Sequence, residues 1–369
     1  MYVQRAIMPY IKNYLDKNKI IIIYWARQVG KTTIAKEVFK WKDYRYLNGD
    51  DIRVQKLFEE QTETALSEIV KWYDYIIVDE AQRIKNIWIK LKIIHESYPE
   101  KKIIVTGSSS LDLANSVNEP LTWRKFELIL HPFSVSELLQ QKAVINVEDN
   151  LNQWMITWLY PDSVLNYDEN LLYDLVNNYT YKDILIFDKI KKSENLIKLL
   201  KALALQIWNE VSYRELWEMA NLNPKTVEQY VQILEQAFII FRLQPYTLNE
   251  RTGIKKLRKI YFRDLWIRNA LINNLNPIDL RTDVWHIWEN FVIVEFLKKM
   301  NNTLDHSSCY FWRDWWKEVD FLVMKGGNLY WYEIKHKSDR WKNFNYIKEQ
   351  LNLTTFEVVN KSNFTSFIN

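Results

Sequence analysis

The chain has 369 residues, with 50 Lys and Arg against 46 Asp and Glu, for a formal charge of +4. Hydrophobic residues at 48% and charged residues at 26% describe a globular chain long enough for two or three cores and exclude a disordered one. A single cysteine, Cys309, excludes a disulfide framework, and no apolar run approaches the ~20 residues a membrane helix needs, which predicts a cytoplasmic protein with no membrane partner.

Taken in chain order, residues 1–135 alternate strands with helices, the pattern of an α/β core on a parallel sheet. Ile20 to Tyr24 is wholly apolar, as expected of a strand covered on both faces. It runs into Ala26-Arg27-Gln28-Val29-Gly30-Lys31-Thr32-Thr33, followed by a predicted helix over 31–40. The phosphate-loop consensus G-x-x-x-x-G-K-[ST] is met except at its first glycine, where Trp25 stands. In such a loop, backbone amides and the helix N-terminus cradle phosphates, Lys31 reaches the β- and γ-phosphates, and the Thr32 hydroxyl binds Mg²⁺. ATP and Mg²⁺ are therefore the expected cofactors.

A strand is predicted over 44–47, then helices over 51–60 and 63–71. A second apolar strand, 75–78, ends in Asp79-Glu80. That ending places Asp79 in the Mg²⁺ shell and Glu80 where it orients or activates the attacking water. A helix over 86–97 leads to a strand over 102–105 and the tip Thr106-Gly107-Ser108-Ser109-Ser110, whose hydroxyls are placed to sense the γ-phosphate, with Ser108 and Ser109 the expected contacts. Arg83 and Arg124 are candidates for a transition-state arginine, a surface ion pair being the competing role for each.

Residues 136–204 read as a helical segment. Over 205–254 the spacing predicts a winged helix-turn-helix: a helix at 213–219, a turn at 220–223, and a second helix at 224–235 that starts on Pro224 behind an Asn223 cap. Strands at 238–243 and 259–262 form the expected wing. Lys225, Thr226 and Gln229 suit phosphate or base edges, and Arg251, Lys255, Lys256, Arg258 and Lys259 make the wing basic. DNA contact competes here with a module that only packs on the nucleotide domain.

Over 255–369 the pattern is α+β, with a helix at 284–300 and strands at 309–313, 318–323 and 329–335. The last two flank Lys325-Gly326-Gly327-Asn328, a hairpin signal. A two-residue turn pairing 325 with 328 sets Asp320 opposite Glu333, and the period of two puts Lys335 on the face of Glu333. This is the D…E-x-K arrangement of metal-dependent nucleases, in which two carboxylates hold a second divalent ion and the lysine orients water. Glu289, on the preceding predicted helix, completes the set. A solvated edge hairpin of mixed charge is the alternative.

The ordered set Arg27 to Thr33, Val78-Asp79-Glu80-Ala81-Gln82-Arg83, Thr106-Gly107-Ser108-Ser109, Tyr261-Phe262-Arg263-Asp264-Leu265, Glu289-Asn290-Phe291-Val292 and Glu318-Val319-Asp320-Phe321 resembles the uncharacterised prokaryotic AAA-class ATPases that carry a C-terminal domain of unknown function. The resemblance covers nearly the whole chain. It implies an AAA core, a winged helix and a restriction-endonuclease-like tail, and it names no substrate. Two functions follow: an ATPase whose nucleotide state controls a DNA-binding C-terminal half, with DNA cleavage by that half left open, or a nucleotide switch whose C-terminal half binds protein. Oligomeric state is left open.

Glycine numbers 6 and tryptophan 17, where glycine alone is ordinarily about 7% of residues. Trp25, Trp72, Trp123, Trp158, Trp208, Trp217, Trp266, Trp285 and Trp316 stand where similar sequences favour glycine, whereas Trp288 and Trp312 match tryptophan. Our reading is that most of the first set are UGA codons decoded as glycine in the source lineage; genuine tryptophans in a degenerate ATPase are the alternative. On this reading Trp25 crowds the phosphate site, and Trp72, after a helix, takes a position suited to glycine.

Overall fold

The computed structural model describes residues 2–25, 28–60, 62–107, 121–140, 147–157, 159–161, 164, 193–206, 210–211, 213–247, 258–314, 317–336, 347–348, 351 and 353–369. The chain divides into two compact units, Met1–Phe133 and Ser134–Asn369.

In the first unit, α1 (Met8–Asp16) precedes β1 (Ile20–Tyr24), α2 (Lys31–Val38) and β2 (Tyr44–Asn48). After them come α3 (Ile52–Leu57), α4 (Glu63–Val70), β3 (Tyr75–Asp79), α5 (Ile87–Ser97), β4 (Lys102–Gly107) and β5 (Lys125–Ile129). The sheet order is β2-β3-β4-β1-β5, and every pairing is parallel. Ile20 to Ile23 are all buried, and each fully buried side chain of this size contributes about 1.5–3 kcal/mol, so β1 is fixed as a central strand. Its two faces are covered by helices, and Leu66, Ile69, Leu91 and Ile94 pack in one cluster with Ile20, Ile22, Ile76 and Val105. The four predicted strands appear within two residues of their expected ends. β5 was not among them: Lys125-Phe126-Glu127-Leu128-Ile129 is an edge strand with charged residues on its open face, so it lacks the continuous apolar run that marks the others.

The second unit holds α6 (Val135–Gln140), α7 (Val147–Thr157), α8 (Ser193–Leu205), β6 (Glu210–Val211), α9 (Tyr213–Ala220), α10 (Pro224–Gln236), β7 (Ile240–Pro245) and β8 (Arg258–Phe262). Its remainder comprises α11 (Leu265–Leu271), α12 (Val284–Asn302), β9 (Ser308–Asp314), β10 (Lys317–Lys325), β11 (Asn328–Ile334), β12 (Thr355–Val359) and α13 (Phe364–Ile368). Asn223 caps α10 as its position predicts, its side chain accepting from the Thr226 N–H at 2.8 Å. β7 and β8 pair antiparallel, Ile240 with Phe262, and β6 adds to β8. The hairpin register runs from Phe321–Tyr332 to Lys325–Asn328, the pairing that the Gly326-Gly327 turn predicts. β7 also pairs parallel with β9, so one seven-stranded sheet, β12-β11-β10-β9-β7-β8-β6, joins the β6–β8 strands to the hairpin. Among the described residues no helix is long and apolar enough to cross a membrane.

Candidate functional site

In the parallel sheet, β1 delivers the loop before α2 and β3 delivers Asp79-Glu80, with β4 between them. All three end at the same edge, where ligands bind in open α/β sheets. Gly30 caps α2 at φ +90°, a left-handed conformation that costs a side-chain residue roughly 1–2 kcal/mol. The turn aims the N-terminus of α2 at the loop's concavity.

Asp79 is the hub. Its carboxylate accepts hydrogen bonds from the Thr32 hydroxyl at 2.8 Å, from the Tyr46 hydroxyl at 2.6 Å, and from the Thr106 hydroxyl. Three elements, α2, β2 and β4, thus converge on one buried anion. Burial, followed by the bond to Asp79 and its charge, pushes the Tyr46 hydroxyl well above its ordinary pKa, so it remains a donor. Thr106 also accepts from the Glu80 N–H at 3.3 Å. Glu80 itself sits at φ +47°, and Gln82 donates to its carboxylate at 2.5 Å. Gly49, just past β2, donates its N–H to the Asp79 carbonyl at 2.8 Å. A Cβ at position 49 would lie 2.4 Å from the Glu80 carbonyl oxygen, so the close approach requires glycine.

A cavity of about 210 Å³ lies beside this hub, lined by Gln28, Lys31, Thr32, Asp50, Glu80 and Arg83. The Lys31 ammonium is buried and donates to the Trp25 carbonyl at 2.9 Å. Arg83 lies 3.3 Å from Asp50, a half-exposed pair of small energetic weight. The loop is also tied from behind, because buried Arg5 donates to the Val29 carbonyl at 3.1 Å and the His131 carbonyl at 2.5 Å. The Thr32 hydroxyl and the Asp79 carboxylate, already in contact, form a hard-oxygen donor pair that fits Mg²⁺.

Of the other expected site residues, Val29 is buried and Thr33 lies in the first turn of α2. Ala26, Arg27, Ser108 and Ser109 lie outside the described residues. Arg124 takes the second of its two expected roles, the ion pair. Its carbonyl accepts from the N–H of Ile20, at the opposite end of β1 from the loop, and its guanidinium pairs with Glu96 at 2.5 Å. It does not line this cavity, and its local role is the ion pair.

Trp25 is a correction. Its ring is buried against His131, with centroids 4.3 Å apart, and it is not among the residues lining the cavity. Neither Trp25 nor Trp72 has a positive φ; Trp123 does, at +66°, with its ring out in solvent. The glycine argument from backbone geometry thus holds at 123 and not at 25 or 72. Trp158, Trp208 and Trp316 lie outside the described residues.

In the second unit, Asp320, Glu333 and Glu289 do come to one place, joined by two side chains that sequence reasoning had put elsewhere or passed over. Lys259, expected on a basic wing, is buried instead. Its ammonium lies 3.3 Å from Glu289 and 3.9 Å from Asp320, and it pairs closely with Glu318. Tyr261, on the same face of β8, donates to Glu289 at 2.5 Å. Glu333 accepts from Lys335 on one oxygen, at 2.5 Å, and from the Trp331 indole N–H on the other, at 3.3 Å. Asp320 accepts from the Ile334 N–H at 3.3 Å. Burial, then the charges of Glu289 and Glu333, raise the Asp320 carboxyl well above the usual range. Protein donors therefore occupy these carboxylates, and among the described residues no group of three His, Cys, Asp or Glu side chains is arranged to hold a metal. The expected second divalent ion, with Lys335 as its water-orienting partner, does not fit. Of the remaining basic wing residues, Arg258 is half-buried and Arg251, Lys255 and Lys256 lie outside the described residues.

Residues 17–139 match the family model of an AAA domain, residues 148–277 a domain of unknown function (DUF8612), and residues 286–367 a second such domain (DUF4143). These matches support an AAA P-loop ATPase domain followed by C-terminal domains of unknown function. Among curated relatives, an uncharacterized protein of Methanocaldococcus jannaschii is 23% identical over 321 residues, covering 75% of this chain and 64% of its own length. An uncharacterized protein of Mycobacterium tuberculosis is 23% identical over 343 residues, covering 89% of this chain and 73% of its own. One from Haemophilus influenzae is 21% identical over 376 residues, covering 91% and 88%. Among solved structures, AMPPCP-bound DnaA from Aquifex aeolicus overlaps 62% of this chain and 86% of its own at 13% identity and a TM-score of 0.35. The RuvB branch-migration motor of Thermotoga maritima overlaps 63% and 89% at 14% identity and a TM-score of 0.32. Overlaps this loose carry no functional argument.

Proposed function

We propose that this chain binds and hydrolyses ATP in the cavity bounded by Gln28, Lys31, Thr32, Glu80 and Arg83. The observation that carries the reading is the 2.8 Å bond from the Thr32 hydroxyl to Asp79, which joins the phosphate loop to the acidic strand at the cavity that Glu80 also lines. In this scheme Gly30 and the α2 N-terminus receive the phosphates and Lys31 leaves the Trp25 carbonyl for the γ-phosphate. Thr32 and Asp79 hold the metal, and Glu80 orients the attacking water. Magnesium supplies charge neutralisation on the phosphates. Arg83, on the cavity wall, is the candidate for stabilising transferred charge.

ATP turnover tests this directly. Lys31→Ala should lose nucleotide binding, while Glu80→Gln should keep binding and lose turnover by about 10²–10⁴-fold, the range of a positioned general base. Wild-type and Lys31→Ala rates that are equal would remove this loop from the mechanism.

The C-terminal half we read as a DNA-contacting module governed by the nucleotide state. Supporting this are the helix pair α9–α10 and the exposed Lys225 and Gln229 on the first turns of α10. Duplex binding that weakens steeply with salt is expected. Binding of protein with no salt-sensitive DNA affinity would favour the switch reading instead.

A further inference from the structure

A nuclease-like hairpin whose carboxylates meet a buried lysine poses a question about charge. The cluster gathers Glu289 from α12 and Glu318 and Asp320 from β10 around the Lys259 ammonium from β8, with Glu333 from β11 close enough to Asp320 to act on its charge. The placement is enforced by neighbouring backbone contacts. Asn290 is fully buried and bonds β8 twice, accepting from the Phe262 N–H at 2.9 Å and donating to the Phe262 carbonyl at 2.7 Å. That reciprocal pair fixes the register of α12 on β8 and brings Glu289, one residue earlier, onto Lys259 and Tyr261. The ammonium also lies 5.8 Å from the Phe311 ring centroid, within the range of a cation–π contact.

We propose that the Lys259 ammonium is the resident cation of this cluster and takes the position a divalent metal would need, so that the tail as folded does not bind catalytic metal. A magnesium ion needs oxygens at about 2.0–2.1 Å in octahedral array. Glu289 and Glu318 instead converge on an ammonium, and Glu333 has both oxygens engaged by Lys335 and Trp331. Glu289 and Glu318 pair with the ammonium, Asp320 lies 3.9 Å away, and the Phe311 ring faces it, so its charge is compensated from several sides. Removing that one charge leaves Glu289, Glu318 and Asp320 short of a cation, since Lys335 is engaged by Glu333, and a divalent cation would fill the place. The proposal is independent of ATP hydrolysis by the first unit.

The test is Mn²⁺ binding to the full chain without nucleotide, followed by calorimetry and by the Mn²⁺ electron-spin signal. Asp79→Asn is included throughout to silence the phosphate loop. With Lys259 present, no site sensitive to Asp320→Asn is expected. Lys259→Met should gain one site at least about tenfold tighter than any in the parent protein, lost again on adding Asp320→Asn. Lys259→Gln, which keeps hydrogen-bonding capacity without charge, serves where the methionine variant does not fold. Stoichiometric Mn²⁺ binding in the Lys259 protein that Asp320→Asn abolishes overturns the proposal, whichever variant folds. So does a folded Lys259 variant that binds no more Mn²⁺ than its parent.

Discussion

Substituting Gly49 by alanine tests whether the position of Glu80 is set by the backbone beside it. The added Cβ would lie 2.4 Å from the Glu80 carbonyl oxygen and 3.1 Å from that of Asp79, where ordinary contact begins at 3.4 Å. Relief requires a displacement of about 1 Å, the difference between those distances. The obstructing atoms are backbone, so no flexible side chain can absorb it. A misplacement of about 1 Å near reacting groups is enough to cost about 100-fold in rate. We therefore expect kcat for ATP to fall by about 10–100-fold, with KM within about threefold because Lys31 and Thr32 lie in the first turn of α2, away from the β2–β3 contact. Overpacking also costs about 1–3 kcal/mol, a fall in Tm of roughly 3–10 °C for a unit of this size. Phosphate release at saturating ATP, measured well below the variant's Tm, separates the two effects. A kcat within twofold of wild type, or a raised KM at unchanged kcat, would refute the reasoning.

Thr106→Val should cost about 2–4 kcal/mol, because it strips both Asp79 and the Glu80 N–H of a buried partner; Thr106→Ser, which keeps the hydroxyl, should recover most of that in chemical denaturation. For Asp283, burial opposes the charge, but the hydrogen bonds and charges of Arg281 and Arg268 outweigh it and hold the carboxyl well below its usual pKa. Its stabilisation is therefore complete above the unfolded carboxylate pKa of about 3.9 and is lost as pH falls towards the depressed folded value. Asp283→Asn should destabilise at pH 7 and flatten the acid limb of a stability-versus-pH curve; parallel curves for variant and wild type would contradict this. Trp123→Gly should stabilise by about 1 kcal/mol, since the residue sits at φ +66° with its ring in solvent, whereas Trp72→Gly, where φ is not positive, should give no such gain by thermal denaturation.

The parts of this fold that were legible in sequence are those fixed by local pattern. Ile20 to Tyr24 and Tyr75 to Asp79 announce buried strands because both faces are covered, and Asn223-Pro224 announces a helix start because cap and ring chemistry are local. The Gly326-Gly327 turn likewise specifies its hairpin register. What sequence could not supply was facing. In Arg258-Lys259-Ile260-Tyr261-Phe262 alternation says that Lys259 and Tyr261 share a face, but whether that face meets water depends on Glu289, about 30 residues on, and on Glu318, about 60 residues on. Tyr46 and Gly49 were missed for the same reason: each acquires its role only when β2 pairs with β3 in a register that sets Asn48 beside Asp79. Arg5 carries no motif at all, and its grip on Val29 arises from a segment folded back over the loop.

The parallel joint between β7 and β9 has a practical consequence for dissecting the molecule. Gln244 pairs with Tyr310, Pro245 with Phe311, and the Tyr246 N–H donates to the Phe311 carbonyl at 2.6 Å. A protein truncated before residue 308 would uncover that flank of β7 as a raw strand edge, which templates association between chains. Poor solubility of such a fragment would therefore report a severed sheet rather than a missing ligand, and capping the open flank with charged side chains should restore it.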